Sequence, residues 1–331
     1  MFYLTFHGGS GKDSQNNIHI YNNDGSEASP SKLLPQGNPD LSELRGFGFL
    51  NNGLMVVNGY KDYSQLLQYT ETGTPPAWQY SQTWASPAIN SVDHPFDFAF
   101  DGSGNCYLSS QDTGVVTILS APAKPGNVPS ALTQNGVPNT AYLQGTFVAS
   151  NSNDLPNIPA NASVAVAQPL GLGVEVEKGK MANSVRGLAY SNGALLVADE
   201  VAGMVKAYSV ASGSLLAAVT GLDSPVHLLI QASTSTLYVS TKQGVMQVAL
   251  PAEITFTSPL NATPYITSKM MSDAGAKSVA GMCFGPDPSS GSTTMFVADR
   301  TGNAVYYVSG GALKAFLTKL KDNPEFLVYQ D

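Results

Sequence analysis

Charge is the scarcest commodity in this chain. Asp, Glu, Lys and Arg make up only 12% of the 331 residues, about half the usual share of a soluble domain. That excludes a coiled coil and a highly charged nucleic-acid binder. Hydrophobic residues at 43% exclude a disordered chain. Cysteine is nearly absent. Cys106 and Cys283 lie far apart, each in an apolar strand-like run, and read as buried thiols rather than a disulfide framework. No run approaches the ~20 apolar residues of a membrane span. Met1–Phe6 lacks the basic flank and long apolar stretch of a leader peptide. The expectation is a monomer with neither a nucleic acid nor a membrane as partner. The compartment stays open, since low charge also suits a secreted mature chain, and Asn161 and Asn261 open glycosylation-type tripeptides. With a net charge of −8, an anionic ligand needs a local basic cluster.

What is abundant is turn chemistry, with 32 Gly and 21 Pro punctuating short apolar runs. One pattern recurs: an apolar run, a Gly/Asn/Asp turn, and a second apolar run. It reads Leu44-Arg-Gly-Phe-Gly-Phe-Leu-Asn-Asn-Gly-Leu-Met-Val-Val-Asn58. It returns from Pro95 to Ser110 and again from Val185 to Asp199. Fainter copies start at Pro225 and at Val279, the latter ending Val-Ala-Asp299. Runs of about 4–6 residues are strand length, too short for helix. A sixth copy is split, with its first strand at Pro324–Tyr329 and its second and third at Phe2–Phe6 and Asn17–Tyr21. Sharing one blade between the chain ends is what a closed ring demands, because it hides strand edges.

Copies begin near residues 45, 96, 186, 226, 280 and 325, a spacing suited to four-stranded blades. The long step from 96 to 186 holds 121–184, with seven prolines. The fold class is therefore all-β: a single six-bladed β-propeller over 1–331 with 121–184 as an insertion or lid. A seventh, degenerate blade inside that insertion is the alternative. The fourth strand of the second blade is expected near 140–148.

The pattern resembles the NHL-type and related six-bladed propellers, most closely at Val-Ala-Asp199 and Val-Ala-Asp299. The resemblance implies architecture only, since that superfamily spans lyases, lactone hydrolases, synthases and interaction modules. A three-histidine site of the amidating-lyase type would need His7, His94 and His227 to converge. The divalent-metal site of gluconolactonase-type propellers would draw on Asp97 and Glu325, but the Glu-Gly-Pro and Asn-Gly motifs are not seen at the matching positions. No cofactor is called for otherwise. Gly8-Gly-Ser-Gly-Lys-Asp13 lacks the Ser/Thr and the helix of a phosphate loop. Asp101-Gly-Ser-Gly-Asn-Cys106 has Cys where a calcium loop needs Gly.

Strand direction sorts the loops onto two ends. Turns between first and second strands carry two charges, Asp101 and Asp287. Loops between second and third strands, on what we call the top, carry ten, among them Asp199, Glu200, Lys242, Asp299 and Arg300. Aligning the first strands puts Arg45, Phe96, Arg186, Val226, Ala280 and Glu325 in one column, with Gly46, Asp97, Gly187, His227, Gly281 and Phe326 in the next. These columns should meet around the axis at the top. On this reading Arg45, Arg186, Asn58 and Lys242 hold a substrate, and two arginines can fork onto a carboxylate or phosphate. Asp97, His227 and Glu325 move the proton. The bland alternative is that the axial charges only pair with each other. Asp199 and Asp299 read as loop-closing acceptors. The expected function is a small-molecule-binding propeller with hydrolase or lyase chemistry at the top mouth. The alternative is a non-catalytic propeller that binds a protein or glycan through its top loops and 121–184.

Overall fold

The computed structural model describes residues 1–9, 11–37, 39–50, 53–59, 64–73, 77–86, 92, 94–111, 114–119, 143–148, 184–213, 215–255 and 260–331. The chain opens with β1 (Phe2–Phe6), β2 (His19–Tyr21) and β3 (Glu27–Lys32). The first blade follows as β4 (Leu44–Leu50), β5 (Gly53–Asn58), β6 (Gln65–Thr72) and β7 (Ala77–Ala85). The second is β8 (Pro95–Phe100), β9 (Cys106–Ser110), β10 (Val115–Leu119) and β11 (Leu143–Val148). The third is β12 (Val185–Ser191), β13 (Ala194–Asp199), β14 (Met204–Ser209) and β15 (Leu215–Val219). The fourth is β16 (Leu228–Gln231), β17 (Thr236–Thr241), β18 (Gly244–Ala249) and β19 (Ala262–Ile266). A short helix, α1 (Ser268–Ala274), leads to the fifth, β20 (Met282–Pro286), β21 (Thr293–Asp299), β22 (Ala304–Ser309) and β23 (Ala312–Leu317). The last strand, β24 (Pro324–Tyr329), pairs with β1 to complete the sixth sheet, in the order β24-β1-β2-β3.

These are six four-stranded antiparallel sheets, and the six-bladed ring is as the repeat predicts. The fourth strand of the second blade falls within the expected span, at Leu143–Val148. The rest of 121–183 lies outside the described residues. The innermost strands β4, β8, β12, β16, β20 and β24 touch one another in that order and back to β4. One apolar cluster fills each gap between neighbouring blades. Met55, Trp84 and Leu108 join blades one and two, and Phe2, Leu4 and Phe296 join blades five and six. Alternation along each strand explains this, because both faces of every blade meet a neighbour. The two cysteines are buried free thiols, and burial raises the pKa of both.

A β-bulge sits at the same place in every inner strand. Arg45 and Gly46 oppose Val57 alone, and Phe96 and Asp97 oppose Ser109. Arg186 and Gly187 oppose Ala198, and Glu325 and Phe326 oppose Thr5. In blade four, Val226 N donates to Ser240 O and Ser240 N to His227 O, both at 3.0 Å. In blade five, Ala280 N donates to Ala298 O and Ala298 N to Gly281 O, both at 2.9 Å. The bulged pair is thus the pair of sequence columns, and a bulge re-aims side chains out of the normal alternation.

The second column alternates strictly around the ring. Glycine stands in blades one, three and five, and Asp97, His227 and Phe326 in blades two, four and six. The glycines are where the neighbouring backbone comes closest. A Cβ on Gly187 would lie 2.6 Å from Val226 O, and one on Gly281 would lie 2.4 Å from Glu325 O. Where the column is not glycine, a hydroxyl opposite takes its N–H. Asp97 N donates to Ser109 Oγ at 3.0 Å, His227 N to Ser240 Oγ at 2.8 Å, and Phe326 N to Thr5 Oγ1 at 3.1 Å.

Two tests follow from the closure and the bulge. Deleting residues 324–331 removes Phe326 and Leu327 from burial, roughly 2 kcal/mol each, and leaves β1 an open edge. The truncated chain should lose its cooperative thermal transition. A circular permutant joining 331 to 1 and opened at the exposed Gly310–Gly311 turn should keep its transition; a permutant that melts like the truncation would break the argument. Gly281→Ala should cost several kcal/mol in urea titration, with no comparable cost for Gly311→Asn in an open turn.

Candidate functional site

The first column lines one cavity. Phe96, Arg186, Val226, Ala280 and Glu325 surround a space of about 350 Å³ at the top mouth. Glu200, Ser224, Lys242, Ser278, Val279, Arg300 and Thr301 complete it from the loops. Arg45, the sixth member, lies behind Glu325 and is buried. Three more of the ten charges that strand direction assigns to the top loops, Lys61, Asp62 and Asp112, lie outside the described residues.

Glu325 is the electrostatic centre. Its side chain is 2% exposed. Arg300 Nε is 2.8 Å from Oε1, His7 Nδ1 is 3.2 Å away, and Arg45 Nη1 is 3.9 Å away. None of them meets Oε1 in hydrogen-bond geometry. Burial pushes the Glu325 carboxyl upward, but Arg45, His7 and Arg300 outweigh it and hold it at about 2. It is an anion at any ordinary pH and a poor proton acceptor. Three basic groups around this oxygen also make a divalent cation unwelcome. Among the described residues, no three His, Cys, Asp or Glu side chains converge as metal ligands.

Both arginines of the sequence reading are occupied. Arg45 Nη2 donates to Glu43 Oε2 at 2.9 Å and Nη1 to His7 O at 3.3 Å. Arg186 Nε donates to Glu200 Oε2 at 2.8 Å, its Nη2 pairs with the same oxygen, and Nη1 donates to Gln111 Oε1. Its guanidinium stacks over Phe96, 5.0 Å from the ring centre. Arg300 Nη2 contacts His7 Nδ1 at 2.9 Å, and its side chain is 38% exposed. Lys242 is exposed, and its ammonium has no partner among the described residues.

Asp97 and His227 lie one layer below the cavity lining. Asp97 accepts from Phe98 N at 2.9 Å and from Leu188 N of the next blade at 3.0 Å. Burial lifts its pKa to about 7, against the lowering effect of those two N–H groups. His227 Nδ1 accepts from Met282 N of the next blade at 3.1 Å, and its ring meets Phe326 edge-on. Burial pushes it down to about 4. Together with Phe326 these side chains form a plug beneath the cavity. His7 is at the cavity edge, His94 sits beside Gln111, and His227 is in the plug, so the three do not share a centre.

Asn58 is away from the cavity lining. Its Oδ1 accepts from Ser42 N at 2.8 Å and its Nδ2 donates to Asp40 O at 2.8 Å. Asp199 Oδ1 accepts from Ser184 N at 3.2 Å, and Asp299 Oδ1 from Ser278 N at 3.0 Å. The three end the second strand of their blades and do one job, tying a serine ahead of the inner strand to the loop. The alignment of Val-Val-Asn58 with the two Val-Ala-Asp segments already carried that signal. Arg300 and Glu200 flank two of these loop-closing Asp residues. The repeat pointed to the loops but not to which side chains in them remain unpaired.

No family model matches the chain, and no curated protein matches it. Solved structures do share its fold. A candidate 6-phosphogluconolactonase from Bacteroides fragilis superposes with a TM-score of 0.57 at 11% identity, covering 100% of this chain and 97% of that one. A Bacteroides caccae protein of unknown function gives 0.57 at 12%, covering 99% and 97%. The β-propeller domain of Myceliophteria thermophila Cps50 (Swd1) gives 0.57 at 8%, covering 98% and 88%. At such identities the likeness shows the propeller and nothing finer.

His227 gives the plug one pH-dependent contribution to stability. An unfolded histidine titrates near 6.5 and His227 near 4, so acid charges the unfolded chain first. The stabilisation is whole above pH 6.5 and is lost as the pH falls to 4, roughly 3 kcal/mol in all. Asp97, raised to about 7, works in the opposite sense over the same range, so the check is a difference: His227→Gln should gain urea midpoint relative to the unaltered chain as the pH falls from 6.5 to 4.5. Parallel curves would mean His227 is not held neutral.

Proposed function

We propose that the top cavity binds a small anionic molecule, held by Lys242 and Arg300. The observation that carries this is the state of the cations around it. Arg45 and Arg186 have their donors engaged by Glu43, the His7 carbonyl, Glu200 and Gln111. Lys242 has no partner among the described residues, and Arg300, ion-paired to Glu325 through Nε at 2.8 Å and meeting His7 through Nη2 at 2.9 Å, keeps Nη1 without a partner among the described residues. Counting the lining alone, Arg186, Lys242 and Arg300 against Glu200 and Glu325 leave a net charge of +1. Arg186 then serves as a strut between Glu200 and Phe96, and Glu325 as the anion that orients Arg45 and Arg300.

A hydrolase or lyase is the second reading. The names of two fold neighbours favour it, candidate 6-phosphogluconolactonases from Bacteroides fragilis and Bacteroides uniformis, each 11% identical. Asp97, His227 and Glu325 would be its proton-handling groups. Asp97 and His227 reach the cavity only if the plug opens, and Glu325 at about 2 holds its proton too weakly. The NHL-type reading of the repeat rests on Val-Ala-Asp199 and Val-Ala-Asp299, whose aspartates close equivalent loops. A partner-binding role for 121–184 falls mostly on residues outside those described.

Calorimetric titration with inorganic phosphate at low salt tests the anion site. The unaltered protein should saturate, Lys242→Ala should weaken binding about 5–10-fold without shifting the melting temperature, and Arg300→Ala should weaken it as much while lowering the melting temperature, because buried Glu325 loses its nearest cation. Equal affinity in the double variant would overturn the assignment. Hydrolysis of 6-phosphogluconolactone above its spontaneous rate, lost in Arg300→Ala, would establish the enzymatic reading for that substrate; a rate equal to the spontaneous one would remove it.

A further inference from the structure

We infer that the molecule bound in this cavity is a polyhydroxylated acid, with one anionic group between Lys242 and Arg300 and hydroxyls facing Glu200, Ser224 and Thr301. The inference rests on the anion-binding reading and extends it from charge to the rest of the ligand.

The argument is a census of what the cavity has left uncommitted. Both Arg186 contacts land on Oε2 of Glu200. Oε1 has no partner among the described residues, and the side chain is 28% exposed. Arg186 therefore fixes a carboxylate and leaves one of its oxygens available as an acceptor. Ser224 and Thr301 also line the cavity, and neither hydroxyl is hydrogen-bonded among the described residues. Ser278 differs, since its Oγ donates to Asp299 Oδ1 at 3.1 Å and accepts from Thr301 N at 3.0 Å. Ser224 is held in place by backbone rather than by its side chain, in a left-handed conformation with φ of 52°.

A carboxylate oxygen accepts and cannot donate. It would repel a second anionic group, so beside a cationic pair it selects a hydroxyl or an N–H on the same ligand. Two free hydroxyls can donate or accept, which suits further hydroxyls. A purely apolar acid would bury Glu200 Oε1 and both hydroxyls without partners, and sites built for a hydroxyl reject the analogue that lacks it strongly. Of the apolar lining side chains, Val226 is half-buried and the others are covered. Phe96 is 2% exposed beneath Arg186, and Val279 and Ala280 are buried too.

Three six-carbon probes separate this from the reading beneath it: gluconate, with charge and hydroxyls; hexanoate, with charge alone; and glucitol, with hydroxyls alone. Each is titrated calorimetrically into the intact protein. The expected result is gluconate at least 10-fold tighter than either of the others. Glu200→Gln keeps the Arg186 contact on its amide oxygen and turns its NH2 to the cavity, where it donates to a ligand hydroxyl, whereas Glu200→Met removes both, so the gluconate preference should survive the first and fall to near unity in the second. A melting curve checks that Glu200→Met still folds. Gluconate and hexanoate binding alike, both tighter than glucitol, would overturn the hydroxyl claim and leave the anion site standing. Gluconate and glucitol binding alike, both tighter than hexanoate, would overturn the anion site instead. No binding of any probe at 20 mM, about the weakest affinity such titration reads, would overturn both. The comparison in the unaltered protein decides even if Glu200→Met fails to fold.

Discussion

Two residues opposing one, at the same point in six inner strands, is the constraint from which the rest follows. In an unbulged strand the side chains of adjacent residues point to opposite faces, and here both faces are packed against neighbouring blades. The bulge releases a pair from that alternation. The first residue of the pair reaches the mouth and the second turns to the axis beneath. The chain then has six positions in the first column and six in the plug, of which Phe96, Val226 and Phe326 continue the apolar cluster between blades six and one. The plug is built by alternation: three glycines let backbones close in, and Asp97, His227 and Phe326 fill the space between. Two of these three also bind a backbone N–H of the next blade, so the plug is a belt that joins blades as well as a stopper.

The charge distribution makes sense on the same frame. A chain of net charge −8 is a poor global attractor of anions. Its described acidic residues at the bottom end, Asp24, Glu27, Glu71, Asp101, Glu253, Asp287 and Asp331, face one lysine there, Lys314. The other described lysines and arginines lie on the top half. At physiological salt the Debye length is about 8 Å, so an anion at the mouth senses the local cations far more than the acidic far end. The mouth can therefore be cationic in an acidic protein without any large basic patch.

Much of this is legible in the sequence. The repeat identified blades, their order and the shared blade of the termini, because each blade repeats the same turn chemistry and apolar run. Of the charged groups expected to converge, Arg186 and Glu325 line one cavity, together with Phe96, Val226 and Ala280 of the first column. What sequence could not supply was partnership. Arg186 and Lys242 look equally available as letters, yet Glu200 and Gln111, 14 and 75 residues away from Arg186, occupy one and leave the other alone. Asp97 and His227 look equally catalytic, yet the bulge turns them inward, where the N–H of Leu188 and of Met282 claims each. Asn58 was misplaced for a different reason: its position at the strand end was right, but its equivalence to the two loop-closing aspartates was not used.

The two layers also divide stability from binding. Asp97 and His227 in the plug are buried and each accepts a backbone N–H of the next blade, and their titrations are displaced in opposite directions, Asp97 up to about 7 and His227 down to about 4. Asp97 therefore opposes folding as the pH rises from 3.8 toward 7, while His227 opposes it as the pH falls from 6.5 toward 4. Such groups resist change, because breaking a buried polar contact costs about 1–3 kcal/mol. Groups at the rim carry no such burden. Lys242, Ser224, Thr301 and one oxygen of Glu200 hold nothing in the fold together among the described residues, so substitution there alters recognition without altering the ring. Glu325 stands at the junction. It fixes Arg45 on the inner side and meets the exposed Arg300 on the outer side, so the rigidity of the belt extends to the one rim cation that is only half committed.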